Sequence, residues 1–229
     1  MTTLTGSSIF GAGEVLPRGP HRLSRAEVAA SQRARLMAAT AAVVAEVGFT
    51  KATITQITKV AGVSPRTFYE HFTGKEECYL AAYDTFAATL LGRVSADLPP
   101  EADWHAFLAG ALTAYLRSLE DDPVTARAFL IEIESAGPRA RRRRHEAYAA
   151  FAALLRARHE AIRERDPSLG RLPERVYLAI THGVRAIVCH ELDISPEPQL
   201  IMLTDDLLFW ITATVQGAAT AREQLGVSG

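Results

Sequence analysis

The residues best suited to chemistry lie between Thr53 and Glu77, in TITQITKVAGVSPRTFYEHFTGKEE. A dense polar and aromatic set, Arg66, Thr67, Tyr69, Glu70 and His71, falls within six consecutive positions, with Lys75 just beyond. On a helix laid in a DNA major groove such groups can bond to base edges and phosphates. Arginine takes guanine bidentately, and threonine offers a methyl to thymine or a hydroxyl to either partner. Phosphate contacts fix orientation, whereas base-edge contacts carry sequence information. Arg66 and Thr67 are the base-reading candidates. Thr53, at a helix N-terminus, and Tyr69, His71 and Lys75 are the phosphate candidates.

The elements that must hold these residues are legible in the same stretch. Thr53 is placed to cap a first short helix, in which Ile54, Ile57 and Ala61 recur at helical spacing. Gly62 stands where the chain leaves it and positive φ is often needed. Ser64 caps the next helix and Pro65 fits its first turn, where a missing N–H is no loss. Phe68 and Phe72, four apart, anchor this second helix to a core. The spacing predicts a helix-turn-helix whose second helix reads DNA.

At these residues the sequence resembles the DNA-binding motif of the tetracycline-repressor (TetR) family of bacterial regulators. The resemblance rests on Thr53-Ile54, Ile57, Ala61-Gly62-Val63-Ser64, Thr67-Phe68-Tyr69, His71-Phe72 and Lys75-Glu76. Upstream it includes Arg33, Leu36, Ala39, Gly48 and Phe49, about fifty residues in all. Three positions depart from the pattern. Thr58 stands where alanine is usual, Cys78 where leucine is common, and Val43-Val44 replace a frequent leucine-phenylalanine pair; all three read as core-packing variation. The resemblance implies phosphate roles for Thr53, Tyr69, His71 and Lys75, and places Ser64, Pro65 and Arg33 in the same DNA-facing module.

Composition points the same way. Residues 1–75 hold nine Lys/Arg and four Asp/Glu, and the remaining 154 hold sixteen and twenty-two. A basic N-terminal module on an acidic body suits a protein that meets phosphate at one end. No signal peptide or membrane-length apolar run is evident. Cys78 and Cys189 lack metal-ligand spacing and read as free thiols of a reducing cytoplasm. Arg18, His21, Arg22 and Arg25 precede the first helix. Residues 1–24, with four Gly, two Pro and no apolar periodicity, read as a mobile basic arm. Such arms can enter a minor groove through arginines, here Arg18 and Arg22, or serve only as a solubilising tail.

Helical patterns follow at 25–47, 75–97, 102–120, 123–135, 138–166, 173–191 and 197–225, separated by Pro-, Gly- and Asp-rich breaks. No strand alternation or internal repeat stands out. The predicted fold is all-α, with an arm over 1–24, a three-helix DNA-binding domain over 25–74 and a helical effector-binding and dimerisation domain over 75–229.

In the body, Val176, Ile180, Gly183 and Ile187 form one apolar stripe and Leu200, Leu203, Leu207, Trp210 and Ile211 another. Self-burial would explain both. A helix-turn-helix usually acts as a dimer on a two-fold site, however, and in the resembling family these terminal helices form the dimer interface. Ile180, Gly183, Ile187, Leu203, Leu207, Trp210 and Ile211 are therefore the expected contacts. The resemblance also implies an effector cavity within 102–166, to which Trp104, Phe107, Leu108, Tyr115, Phe129, Ile133, Tyr148 and Phe151 are assigned, with His182 as a polar candidate. An ordinary filled core explains any one of these better.

The run Arg139–Arg144 has five arginines in six positions and reads as a solvated helix end paired with glutamates such as Glu132, Glu134, Glu146 and Glu160. His182, His190, Glu191 and Asp193 have no metal-binding spacing, and neither a catalytic triad nor a phosphate loop is present. The expectation is a non-enzymatic, cytoplasmic, homodimeric regulator without cofactor or metal, bound to double-stranded DNA and released by a small-molecule effector. Two other classes remain open: a ligand-independent architectural DNA-binding protein, and a helical ligand carrier or enzyme with a vestigial head.

Overall fold

The computed structural model describes residues 9–10, 24–96 and 101–217, and among them all regular structure is helical. The nine α-helices are α1 (Arg25–Val47), α2 (Ile54–Ala61), α3 (Pro65–His71), α4 (Lys75–Ser95), α5 (Trp104–Glu120), α6 (Pro123–Leu130), α7 (Pro138–Arg165), α8 (Glu174–Ile194) and α9 (Thr204–Gln216). Short 3₁₀ turns lie at Glu132–Glu134 and Leu200–Leu203. The pattern expected over 123–135 is thus a two-turn helix plus a 3₁₀ turn. That expected over 197–225 becomes a 3₁₀ turn after Pro198 followed by α9; residues 218–225 lie outside the described residues. No described helix is long and apolar enough to cross a membrane.

Helix boundaries follow local chemistry. Ser24 and Glu27 form a reciprocal capping box at the start of α1, and these bonds hold the Glu27 carboxyl below its ordinary range. α1 ends at Gly48, whose φ of 79° favours glycine. Asp122 caps α6 ahead of Pro123, the residue suited to a first helical turn.

The chain divides into two compact units, and the division differs from the expected boundary near residue 74. The first unit takes in the described residues up to Thr89 together with Asp121–Arg144; the second takes in Leu90–Glu120 and the residues from His145 onward. α6, the 3₁₀ turn and the start of α7 therefore share a unit with the helix-turn-helix, although they follow it by some fifty residues. Sequence periodicity identifies helices but not their partners, so this grouping was not legible.

An aromatic cluster forms the centre of the first unit. The Phe129 ring lies 5.4 Å from Tyr79, 5.9 Å from Tyr83 and 5.1 Å from Phe86. Tyr79 donates its hydroxyl to the Ala128 carbonyl at 2.6 Å. Burial raises its pKa far above the ordinary phenol value. Phe10 meets Phe129 edge-on at 6.1 Å, and Ile9 and Phe10 are both buried. Residues 1–24 read as a mobile arm, yet these two of them pack into the core; residues 1–8 and 11–23 lie outside the described residues. The three family departures are also packing positions. Thr58, Val43 and Val44 are buried, and the buried Cys78 sulfur lies 3.1 Å from the Thr40 hydroxyl. Burial pushes the Cys78 thiol up to about 12, so it is unreactive in the folded state.

The Arg139–Arg144 run packs on this unit through ion pairs. Arg139 meets Glu76 at 3.7 Å, Arg143 meets Asp84 at 3.6 Å, and Arg144 pairs with Glu134. Of the glutamates expected as partners, Glu134 takes that place, while Glu76 and Asp84 come from α4.

In the second unit α5 packs with α9 and with the 3₁₀ turn at Leu200–Leu203, where Glu120 accepts the Ile201 N–H at 2.9 Å. Trp104 stacks with Phe107 at 5.5 Å and meets His159 edge-on at 4.9 Å. His159 Nδ1 lies 2.8 Å from the Tyr177 hydroxyl. Tyr115 pairs with Phe151, and Tyr148 with His182. Seven of the nine residues assigned to an effector cavity belong to this unit. Phe129 and Ile133 do not: both are buried in the first unit. The residues were grouped by nearness in sequence, but α6 leaves the second unit and returns to the first.

The expected dimer contacts also need correction. Ile180, Leu207 and Ile211 are fully buried within the chain's own second unit and cannot meet a partner. Gly183 and Leu203 are partly covered, while Ile187 and Trp210 are exposed. Leu178, Ile194, Met202 and Phe209 complete the exposed apolar surface of α8, α9 and the turn before α9.

Candidate nucleic-acid interface

α2 and α3 contain only eight and seven residues, too short to persist alone, so their ends and packing must hold them. The Thr53 hydroxyl accepts the Gln56 N–H while the Gln56 side chain accepts the Thr53 N–H, a capping box at the start of α2. Gly62 terminates α2 in the left-handed conformation, φ 63° and ψ 40°. Arg35, from α1, donates to the carbonyls of both Ala61 and Gly62. Ser64 caps α3 by accepting the Thr67 N–H at 3.0 Å, and Pro65 occupies its first turn. Phe68 and Phe72 are buried, with ring centroids 5.8 Å apart.

With its apolar side fixed inward, α3 turns Arg66, Tyr69 and Glu70 outward. The Arg66 side chain is 91% exposed, and its Nε donates to Glu70 Oε1 at 3.2 Å across one helical turn. Tyr69 is 60% exposed even though its ring touches Phe68 edge-on at 5.6 Å. Thr67 is half-buried, and its hydroxyl lies 3.0 Å from that of Ser64. Thr53, Ser64 and Pro65 are exposed. Lys51, Thr55 and Lys59, which sequence reasoning did not single out, are exposed on the turn before α2 and on α2 itself.

Three other candidates are engaged elsewhere. Arg33 donates to the His71 carbonyl at 3.2 Å and lies over the Phe72 ring at 4.3 Å, which secures the end of α3. His71 is half-buried, with Nε2 3.3 Å from Gln32 Oε1 on α1. Lys75 donates its ammonium to three carbonyls, those of Phe49 at 2.9 Å, Thr50 at 3.1 Å and Ala52 at 2.8 Å. A lysine has three N–H donors, so this set uses all of them. The expectation of a free Lys75 at phosphate is corrected accordingly. Arg18 and Arg22 lie outside the described residues.

A capped pair of short helices, the second displaying an arginine, a tyrosine and a glutamate on a rigid apolar footing, defines a DNA-binding transcriptional regulator of the helix-turn-helix class. Residues 36–82 match the family model described as bacterial regulatory proteins, tetR family. Over these residues the chain is similar to that family.

Solved structures share its fold. The fatty acid degradation regulator FadR of Bacillus halodurans is 18% identical, with 89% of this chain and 98% of that chain covered at a TM-score of 0.73. The transcriptional regulator FadR of Bacillus subtilis, solved with stearoyl-CoA, is also 18% identical, with coverage of 80% and 97% and a TM-score of 0.67. A tetR-family regulatory protein of Rhodococcus RHA1 is 19% identical, with coverage of 80% and 96% and a TM-score of 0.63. Among curated proteins no match was found.

Proposed function

We propose that this protein is a homodimeric, cytoplasmic repressor that leaves its operator when a small molecule occupies the second unit. The observation that carries the DNA-reading part is the outward Arg66–Tyr69–Glu70 surface of α3 on a buried Phe68–Phe72 base. In this reading Arg66 and Thr67 contact bases, while Thr53, Ser64, Pro65 and Tyr69 contact backbone. Exposed apolar side chains on α8 and α9, above all Phe209 at 77% and Ile194 at 63%, support a dimer formed through these helices. A ligand that prefers the DNA-incompetent arrangement of the two heads shifts the population off the operator.

The effector class comes from the fold's neighbours: FadR of Bacillus subtilis was solved with stearoyl-CoA, so long-chain acyl-CoA is the first ligand to try. Nothing in the sequence or side chains supports catalysis. The test is selection of bound duplexes from random DNA, followed by release assays with stearoyl-CoA, stearate and free coenzyme A. A two-fold-symmetric motif and release by the acyl thioester support the reading. Binding without sequence preference would instead make the chain an architectural protein.

A further inference from the structure

We propose that Glu132 is a positioning residue for DNA binding. With Lys75 it clamps the Gly48–Ala52 turn, and this turn sets the start of α2. Glu132 Oε2 accepts the Phe49 N–H at 3.0 Å across 83 positions of sequence. The Ser135 hydroxyl lies 2.9 Å from the Glu132 carbonyl and 3.2 Å from the same carboxylate oxygen, and shares its one proton between them. The carboxylate also occupies the space a side chain at residue 48 would need: a Cβ on Gly48 would lie 3.2 Å from Oε2. The positive φ of Gly48 favours glycine there, and the close approach leaves little room for a Cβ.

Lys75 completes the clamp from the opposite polarity. The carboxylate holds an N–H of the turn, and the ammonium holds the carbonyls of Phe49, Thr50 and Ala52. A Gly48 C=O to Ala52 N–H bond of 3.1 Å closes the turn between them. The Phe49 ring rests under the ammonium at 4.9 Å and against Tyr79 at 5.0 Å. Charge-assisted bonds are stronger than neutral ones, and a fixed turn next to Thr53 fixes the N-terminus of α2. α2 then hands its orientation to α3 through Gly62. Glu132 need not touch DNA to decide where Thr53 and Arg66 stand.

The test uses the full-length protein on its selected operator, with affinity measured over a salt series. E132A is expected to weaken operator binding about tenfold, from loss of one charge-assisted bond. The slope of log affinity against log salt should not change, because no phosphate contact is removed. E132Q retains an acceptor oxygen for the Phe49 N–H and should recover most of the affinity. K75A should weaken binding with the same unchanged slope. Should E132A fail to fold, S135A takes its place, with an expected loss of about threefold as the carboxylate loses the Ser135 hydroxyl. Wild-type affinity in E132A or S135A overturns the proposal, as does E132Q binding no better than E132A. A salt slope about one unit shallower in K75A would make Lys75 a phosphate contact and overturn the clamp.

Discussion

Trp210 lies across Gly183, so that a Cβ built on the glycine would stand 2.5 Å from the indole Cη2 and 3.1 Å from Cζ3. The space beside the glycine on α8 is therefore filled by a side chain of the same subunit. G183A should lower the stability of the protein by about 1 kcal/mol, since the indole must shift off the face of α8. Denaturant titration measures this, and W210A in the G183A background should recover part of the loss, because the two residues touch. Equal stability of G183A and wild type would show that the indole shifts freely.

The proposed dimer interface is better probed at Phe209, which is exposed and makes little of the subunit's own core. F209D should convert the dimer to a monomer in sedimentation while far-UV circular dichroism stays that of a helical protein. An unchanged dimer would move the interface away from α9.

On the reading helix, Arg66→Ala should weaken specific binding by about 1–3 kcal/mol and relax preference at one position of each half-site. Glu70→Ala should leave the melting temperature unchanged, because exposed ion pairs contribute little to folding. It should nevertheless alter base preference, since the Arg66 guanidinium loses its partner at Nε. Equal loss on every sequence after Arg66→Ala would reassign the side chain to phosphate.

The buried Phe10 links the chain's start to the aromatic cluster, so F10A should destabilise the first unit by about 3 kcal/mol. Deleting residues 1–24 should lower the melting temperature for the same reason. R18A/R22A keeps Phe10 and should leave stability intact. If these arginines enter the minor groove, that variant flattens the salt dependence of binding without lowering stability. Unaltered stability of F10A would show that Phe10 contributes no net packing.

His159 supplies a pH dependence. Burial, with Arg163 second, holds its imidazole pKa below the ordinary value of 6.5. The unfolded chain thus takes up the proton before the folded one does. The stability of the neutral ring is fully present above about pH 6.5 and falls as pH drops below it. H159Q should flatten this segment of a stability–pH curve. The same slope in H159Q would assign it to another group.

What was legible in the sequence was local. Thr53, Gly62, Ser64 and Pro65 act on backbone groups within a few residues, so the helix-turn-helix and its outward Arg66 and Tyr69 could be read from spacing alone. α1 followed from its apolar periodicity and the end of α4 from the break at Pro99-Pro100. Side chains that reach across the fold could not be read so. Lys75 and Arg33 carry the right charge for phosphate, yet the structure turns both onto carbonyls inside the module.

The sequence by itself determined the helical class and the helix-turn-helix motif, because caps, turns and the 3.6-residue period depend on near neighbours. Only the tertiary structure decided that Glu132 reaches Phe49, that Phe10 and Phe129 share a core, and that Ile180, Leu207 and Ile211 are buried within one subunit. An apolar stripe states that a face will be covered. Which surface covers it depends on packing between segments far apart in the chain, and no local spacing encodes that choice.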